Sequence, residues 1–395
     1  MAWPYRDGFL VRNYLIGTTL GCAGPALALL ARADRWQAPD ALVRTLADLG
    51  DESPGDTLLA LLRNGALVPE GTRTARRENE WLRSWKWGPV AAAFHRGLRD
   101  LRFRTEEETA ALLSKRAKGR PPPAVIPEPG PRRLSLPPPR TDRGLLARLL
   151  LRESVREMSG APISSRQLAE VLFAGLGVRA VVRDPIQGDL PLKLAPSGGA
   201  RNPIDGYLVA IDVAGVPPGA YRYSGLRRDL EPVGRPPPLP AAAELLGGQP
   251  WAKGVAAVVF LVASLGRAMW KYEHPLSLRM VLLEAGHVAQ NMLVAASDLG
   301  LASWPSGAIS DSRVEDLLGI GGPDRAVLYA VVLGRPTKAP RQRPSLALSS
   351  PSSRSGGKPG SASRQKPASK VAAARASGSR PLASSARARR RRPRG

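Results

Sequence analysis

The stretch from Pro275 to Met292 constrains the fold more than any other part of the chain. Leu278, Val281, Leu282, Ala285, Val288, Ala289 and Met292 recur at spacings of three and four residues. That pattern puts them on one helical face and predicts a long, largely buried helix closing near Gly300. Pro275 suits the first turn, where a missing N–H costs nothing and its fixed φ is already helical. Just ahead stand Lys271 and Tyr272, an amine and a phenol on an expected turn beside the largest apolar element of the chain. Burial there destabilises an ammonium and a nearby cation favours a phenolate, so the two are candidate proton-transfer groups. One is expected to act and the other to support it, because adjacent side chains seldom point the same way.

The remaining composition bounds the function classes. A chain of 395 residues is long enough for two domains and a sizeable core. Its single cysteine, Cys22, excludes an intrachain disulfide framework and fits a reducing, cytoplasmic setting. His95, His274 and His287 are scattered without metal-ligand spacing, so no metal site is expected. The formal charge of +25 is concentrated: 17 Lys and Arg and no acidic residue fall between positions 335 and 395, leaving about +8 on the rest. The apolar run Leu15–Leu30 is broken by Gly17, Gly21, Gly24 and Pro25 and lacks a basic start, which argues against a signal peptide. Val255–Leu265 is too short to cross a membrane, and no membrane partner is expected.

In chain order, residues 1–100 show short helical patterns at Pro25–Ala31, Pro39–Leu49 and Asp56–Leu62, with Ala66–Val68 as an expected strand. This reads as a winged-helix-like region whose mixed charges offer no basic recognition face for DNA. Trp81, Trp85, Trp87, Phe94 and His95 come next, and read as an aromatic helix face packed on a neighbour, with His95 structural. Residues 101–140 are a helix and a Pro-rich linker, in which Pro121–Pro123 and Pro137–Pro139 favour extended chain. A second domain spans 141–338, with Thr141 or Asp142 as the N-cap of its first helix. Residues 339–395 lack apolar periodicity and are expected to be a disordered basic tail able to attract polyanions.

Three further motifs of the second domain carry chemistry. Arg152, Ser154 and Arg156 occupy alternate positions, so an extended backbone points two guanidiniums and a hydroxyl at one phosphate. Pro196-Ser197-Gly198-Gly199-Ala200-Arg201-Asn202-Pro203 is a loop whose glycines allow close backbone approach to a ligand, and a plain turn explains them equally well. Leu301–Ala308 holds Pro305, Gly307 and Ala308, and its reading as a second loop is implied by a family resemblance alone. Expected strands are Tyr207–Val213, Ala220–Tyr223, Val255–Ala263 and Val327–Leu333, and Ile163–Ala174 is an expected amphipathic helix.

Taken in order, Trp270-Lys271-Tyr272, the helix with Glu284, Gly286, His287, Gln290 and Asn291, the Arg152–Arg156 string, the two loops and Gly334-Arg335-Pro336 resemble SagB-type dehydrogenases. These are flavin enzymes of the nitroreductase superfamily that oxidise azoline rings in peptides to azoles. The resemblance covers residues 140–337 well and 10–100 loosely. It implies an α+β, nitroreductase-like fold: a central mixed, mainly antiparallel sheet flanked by helices, in a homodimer. It implies FMN as cofactor, with its phosphate on Arg152, Ser154 and Arg156, aided by Arg335. Glu153 stands where the family usually has a basic residue. Pro196, Ser197, Gly199 and Arg201 would contact flavin, often across the dimer. Backbone amides at Pro305, Gly307 and Ala308 would face flavin N5, Ala308 being tolerable there only with a negative φ. Lys271 and Tyr272 would be catalytic, and a peptide substrate and an azoline-forming enzyme would be partners. Glu284 and His287 share a helical face that lines either the dimer core or the flavin pocket, a structural role being the preferred reading and a catalytic one staying open. Two other readings stay open: a general NAD(P)H-dependent nitro or quinone reductase, and a flavin-fold binding protein without chemistry.

Overall fold

The computed structural model of the chain describes residues 2–6, 8–97, 99–100, 102–116 and 144–338. The Pro-rich linker, the N-cap at Thr141 or Asp142 and the expected disordered tail lie outside the described residues.

The chain opens with β1 (Ala2–Tyr5), β2 (Gly8–Asn13) and β3 (Thr18–Cys22), which pair antiparallel in that order, followed by α1 (Gly24–Leu30), α2 (Pro39–Asp48) and α3 (Pro54–Arg63). Each of these helices carries a proline in its first two positions. Cys22, Leu29, Leu46, Leu58 and Leu61 form a small core of their own. A helical region with a small sheet matches the sequence reading, but its strands precede the helices. The expected strand at Ala66–Val68 is instead a bend, because the amides of Ala66 and Leu67 turn back to the Leu61 carbonyl at the end of α3.

Next come α4 (Arg73–Ser84), α5 (Gly88–Gly97) and α6 (Glu106–Arg116). The tryptophans around the α4–α5 junction pack as the sequence suggests: Trp81 stacks on Trp85 with ring centroids 4.6 Å apart, and Trp87 is 1% exposed. They belong to the main core rather than to the small N-terminal one, so this segment is fused to the second half of the chain.

The second half contains α7 (Gly144–Leu151), β4 (Ile163–Ser164), α8 (Ser165–Leu176), β5 (Val178–Asp184), β6 (Gly188–Lys193), β7 (Ile204–Ala210), β8 (Val213–Ala214), β9 (Gly219–Ser224) and β10 (Asp229–Pro232). It continues with α9 (Ala242–Leu245), β11 (Ala257–Ser264), α10 (Leu265–Lys271), α11 (Leu276–Asp298), β12 (Ala302–Ser306), α12 (Asp311–Leu318) and β13 (Arg325–Gly334). The main sheet has the order β10-β9-β7-β11-β13-β12 and is antiparallel at every pairing. The parallel component is confined to the short β4–β8 pair.

The strand β11 is buried along its whole length because both of its faces are covered, which is why it reads as an unbroken apolar run. Val259, Leu261 and Ala263 face the core shared with α8 and α11, and Val258, Phe260 and Val262 face the one shared with α9 and α12. The two-residue period of a strand produces that division. As predicted, α11 buries Leu278, Val281, Ala285, Val288, Ala289 and Met292, but Leu282, expected on the same face, is exposed; Pro275 is the N-cap. It lies close on α8, where a Cβ at Gly175 would come within 2.6 Å of Met292. A capping box at Ser164 and Gln167 starts α8, two residues later than expected. Among the described residues no helix is long and apolar enough to cross a membrane.

The stretch Leu301–Ala308 is not a loop throughout. Ala302–Ser306 is the edge strand β12, paired only with β13. A proline is acceptable at Pro305 because an edge strand does not need every amide for the ladder.

Candidate functional site

The loop between β6 and β7 is the centre of the site, and its backbone is unusual. Gly199, Ala200 and Asn202 have φ of 58°, 55° and 47°. Left-handed backbone at a residue with a Cβ costs on the order of 1–2 kcal/mol, so such a loop persists only where its surroundings over-determine it. Those surroundings are polar and buried. Ser197 Oγ accepts the Asn202 amide at 2.9 Å, and Asn202 Nδ2 donates to the carbonyls of Pro191 and Ala200 at 2.6 and 2.8 Å. Arg267 Nη1 donates to the Asn202 carbonyl at 2.9 Å and to Asp205 Oδ1 at 2.8 Å. Glu284, buried on α11, has Ser197, Gly198 and Ile204 as the polar neighbours of its carboxyl.

Two buried groups beneath the loop shift in opposite directions. Desolvation raises the Glu284 carboxyl above its ordinary value, with the Ser197 hydrogen bond and Lys193 working against it. Desolvation lowers Lys193, whose Nζ donates to the Ile204 carbonyl at 2.7 Å, against the pull of Asp205 and Glu284. Glu284 thus clamps the loop, while His287, one turn on, is exposed. The two do not share an environment despite their spacing. The contributions of Lys193, Asp205 and Arg267 were not evident in the sequence, since each looks there like a surface charge.

Lys271 and Tyr272 meet this loop. Lys271 is the last residue of α10, and Tyr272 follows in extended conformation, not on a turn. A Cβ at Gly199 would collide with both Lys271 Nζ, at 2.7 Å, and Tyr272 Oη, so both polar ends lie against that glycine. The expectation that adjacent residues diverge is corrected here. Lys271 Nζ also donates to Gln187 Oε1 at 2.9 Å, in the turn of the β5–β6 hairpin, an element the sequence reading missed. From the other side, Trp87 Nε1 donates to the Tyr272 carbonyl at 2.8 Å. Arg201 stacks its guanidinium 4.5 Å from the Trp270 ring centroid and donates through Nε to the Arg267 carbonyl. The side chains of Ser197 and Arg201 are therefore committed within the protein, whereas Pro196 and Gly199 are exposed.

The second group of candidates forms an edge of the main sheet. Residues 152–157 belong to no helix or strand; the Val155 amide donates to the Ser303 carbonyl at 3.0 Å, and the Thr337 amide donates to the Glu157 carbonyl at 3.2 Å. Val155, between Ser154 and Arg156, packs partly buried against the core. Arg156 lies 5.5 Å from the Trp251 ring centroid, and none of the three side chains has a hydrogen bond or ion pair among the described residues. Arg335 adjoins them through the Ser159 amide, which donates to its carbonyl, but its own Nε is held by the Pro162 carbonyl at 2.7 Å. Two guanidiniums, Arg152 and the Arg156 that lies over Trp251, and the Ser154 hydroxyl form a donor set that fits a phosphate and is compatible with that of a flavin mononucleotide.

Beyond β12, the Ser306 hydroxyl receives Gln249 Nε2 at 2.6 Å and the Ala308 amide at 3.1 Å, which fixes the turn through Gly307. Ala308 is absent from the residues with positive φ, as its tolerance required. Next to Gly307 lies a cavity of about 140 Å³ whose far wall is Phe94 and His95 of α5. That helix is fixed by a half-buried junction: Arg99 pairs with Glu315, the Asp100 amide donates to Asp311 Oδ2 at 2.9 Å, and the Asp100 carboxylate caps Ser312. Among the described residues no cluster of His, Cys, Asp or Glu is arranged to hold a metal.

Comparison with known proteins gives this geometry a family. Residues 149–335 match the model of the nitroreductase family. A protein of Methanocaldococcus jannaschii named as a nitroreductase, MJ1384, is 31% identical over 177 residues, covering 44% of this chain and 82% of that protein. The trifolitoxin-processing protein TfxB of Rhizobium leguminosarum bv. trifolii is 27% identical over 183 residues, covering 44% of this chain but only 49% of TfxB. Among solved structures, one described as a nitroreductase of Ralstonia eutropha JMP134 is 26% identical, with a TM-score of 0.41 over 53% of this chain and 88% of its own. A chain of the E. coli microcin synthetase McbBCD complex is 19% identical, with a TM-score of 0.45 over 70% of this chain and 98% of its own. With a relative above 30% identity matched over most of its length, this chain belongs to the nitroreductase family of flavin-dependent oxidoreductases.

Proposed function

We propose that the chain is an FMN-dependent dehydrogenase of the SagB type, which oxidises thiazoline or oxazoline rings of a peptide to azoles. The observation that carries this reading is the convergence of Lys271 Nζ and Tyr272 Oη on Gly199. A simple reductase draws electrons from a nicotinamide and has no need of such a couple, whereas aromatising an azoline requires loss of a proton from carbon together with a hydride. The kinship with a trifolitoxin-processing protein supports a peptide substrate.

In this reading Arg152, Ser154 and Arg156 hold the phosphate of FMN, with Arg335 beside them. The loop backbone at Pro196–Gly199 and the turn at Gly307–Ala308 flank its ring system, while Ser197 and Arg201 keep the first of these loops in shape. Bound flavin supplies the acceptor for the hydride that leaves the substrate ring. Tyr272 Oη takes the acidic proton from the neighbouring ring carbon. The Lys271 ammonium, 5.6 Å from the Tyr272 ring centroid, stabilises negative charge on the phenol oxygen and is itself oriented by Gln187. A homodimer would cover the exposed row Leu276, Met280 and Leu283 on α11, and with it Leu145 and Leu149 of α7.

The test is an absorbance spectrum of the purified protein, mass identification of the released chromophore, and turnover of azoline peptides by Lys271→Ala and Tyr272→Phe variants. About one FMN per chain with azole formation lost in both variants is expected. Turnover unaffected by either substitution would refute the assigned chemistry.

A further inference from the structure

The cavity beside Gly307 is built from two parts of the chain that the sequence treats separately. Leu278 and Leu282 of α11, Ile309 and Leu328 line it from the catalytic side, and Phe94 and His95 of α5 close it. Its volume of about 140 Å³ is close to that of the ~150 Å³ apolar cavity known to accept benzene, so it takes one five- or six-membered ring. The charged groups in its wall are already engaged: Arg99 with Glu315 and Asp311 with the Asp100 amide.

His95 is different. Its ring is 8% exposed and stacks on Trp85, yet neither of its nitrogens has a hydrogen-bond partner among the described residues. Burial and the neighbouring Arg99 and Arg96 hold it neutral down to about pH 4, so it presents one N–H donor and one bare acceptor nitrogen. Those nitrogens are therefore free to pair with a ligand that enters the cavity. The charged groups of the wall being engaged, a charged ligand would find no counter-ion, while a neutral flat ring with one hydrogen-bonding atom would satisfy both the apolar wall and His95.

We propose that this cavity is the subsite for the heterocycle itself, with a neutral azole or azoline ring seated between Phe94 and Leu282 and its ring nitrogen hydrogen-bonded to His95. The inference rests on the dehydrogenase reading above and adds that the N-terminal region forms half of the substrate site. Trp87, which holds the Tyr272 carbonyl one residue before α5 begins, ties this wall to the proton-transfer pair.

Ligand-observed NMR saturation transfer on the full chain as purified tests it, with 4-methylthiazole and toluene as probes. Both are expected to bind, and His95→Phe should weaken thiazole at least tenfold while leaving toluene unchanged. Leu282→Trp, at a partly exposed position, should abolish both signals, and Phe94→Ala should weaken both. Thiazole binding that is equal in wild type and His95→Phe, or that survives Leu282→Trp, overturns the proposal. Because this readout needs no turnover, thiazole binding in a protein that fails to oxidise azolines would refute the dehydrogenase reading and leave the ring site in place. Azoline oxidation with variant-insensitive thiazole binding would do the reverse.

Discussion

Asp311 and His95 lie together at the junction of α5 and α12, and burial moves them in opposite directions. Asp311 is raised from 3.8 to about 6 by desolvation, with Asp100 and Glu315 adding and the Asp100 amide and Arg99 opposing. His95 is lowered from 6.5 to about 4 by desolvation, with Arg99 and Arg96 adding. Between about pH 4 and 6 the folded chain keeps a proton on Asp311 that the unfolded chain has lost, so this contribution declines as pH rises. Between about pH 4 and 6.5 the unfolded chain protonates His95 while the folded chain does not, so that contribution declines as pH falls. A displacement of roughly two pH units is worth about 3 kcal/mol, and the opposite signs leave the junction nearly silent in wild type. Asp311→Asn, which keeps an acceptor for the Asp100 amide, removes one side of the balance. Its melting temperature relative to wild type should fall on acidification from pH 6.5 to 4, by on the order of 5–10 °C. His95→Phe should gain on wild type by a similar amount over the same range. Thermal melts across this range for both variants decide the matter, and slopes of the same sign, or variants parallel to wild type, refute the reasoning.

Two further perturbations probe the site and its attachment. Gly199→Ala places a Cβ at φ 58° against the ends of Lys271 and Tyr272. Because those flexible ends can move aside, stability should drop by only about 1–2 kcal/mol while turnover falls on the order of 100-fold. Gly198→Ala, with open space around its Cβ, is the control, and full activity in Gly199→Ala would sink the assignment. Arg99→Ala leaves Glu315, whose side chain is 13% exposed, without its partner and should cost about 3–5 kcal/mol in urea unfolding. Adding Glu315→Gln should recover part of that loss, and a loss below about 1 kcal/mol would mean the pair behaves as a surface bridge.

What could be read from the sequence was what depends on local period and local geometry. The spacing of Leu278 to Met292 gave α11, and the apolar run gave β11. What escaped depends on partners distant in the chain. The family resemblance implied a loop at Leu301–Ala308, and the pairing of Ala302–Ser306 with β13 depends on residues far along the chain. The β5–β6 hairpin has no buried face along most of its length, so it carries no hydrophobic alternation to detect. Lys193, Asp205 and Arg267 gain their meaning only when folding brings them under the Ser197 loop. His95 reads as structural in the sequence, and its place in a cavity wall becomes visible only in the fold.

The divergence expected of Lys271 and Tyr272 rests on a premise that holds inside a regular element. Neighbouring side chains on a helix are about 100° apart, and on a strand they alternate. The pair straddles a boundary, however. Lys271 closes α10, and Tyr272, with φ −126° and ψ 95°, has already left helical conformation. The change of backbone between the two residues redirects the second side chain toward the first. The Trp87 hydrogen bond to the Tyr272 carbonyl holds that change in place. A helix end is thus a means of bringing an adjacent amine and phenol to one point, which neither a helix nor a strand offers. Gly199, without a Cβ, is what leaves room for both of them there. Glu284 adjoins the loop that carries Gly199, so the surroundings of Lys271 and Tyr272 are connected to the buried face of α11.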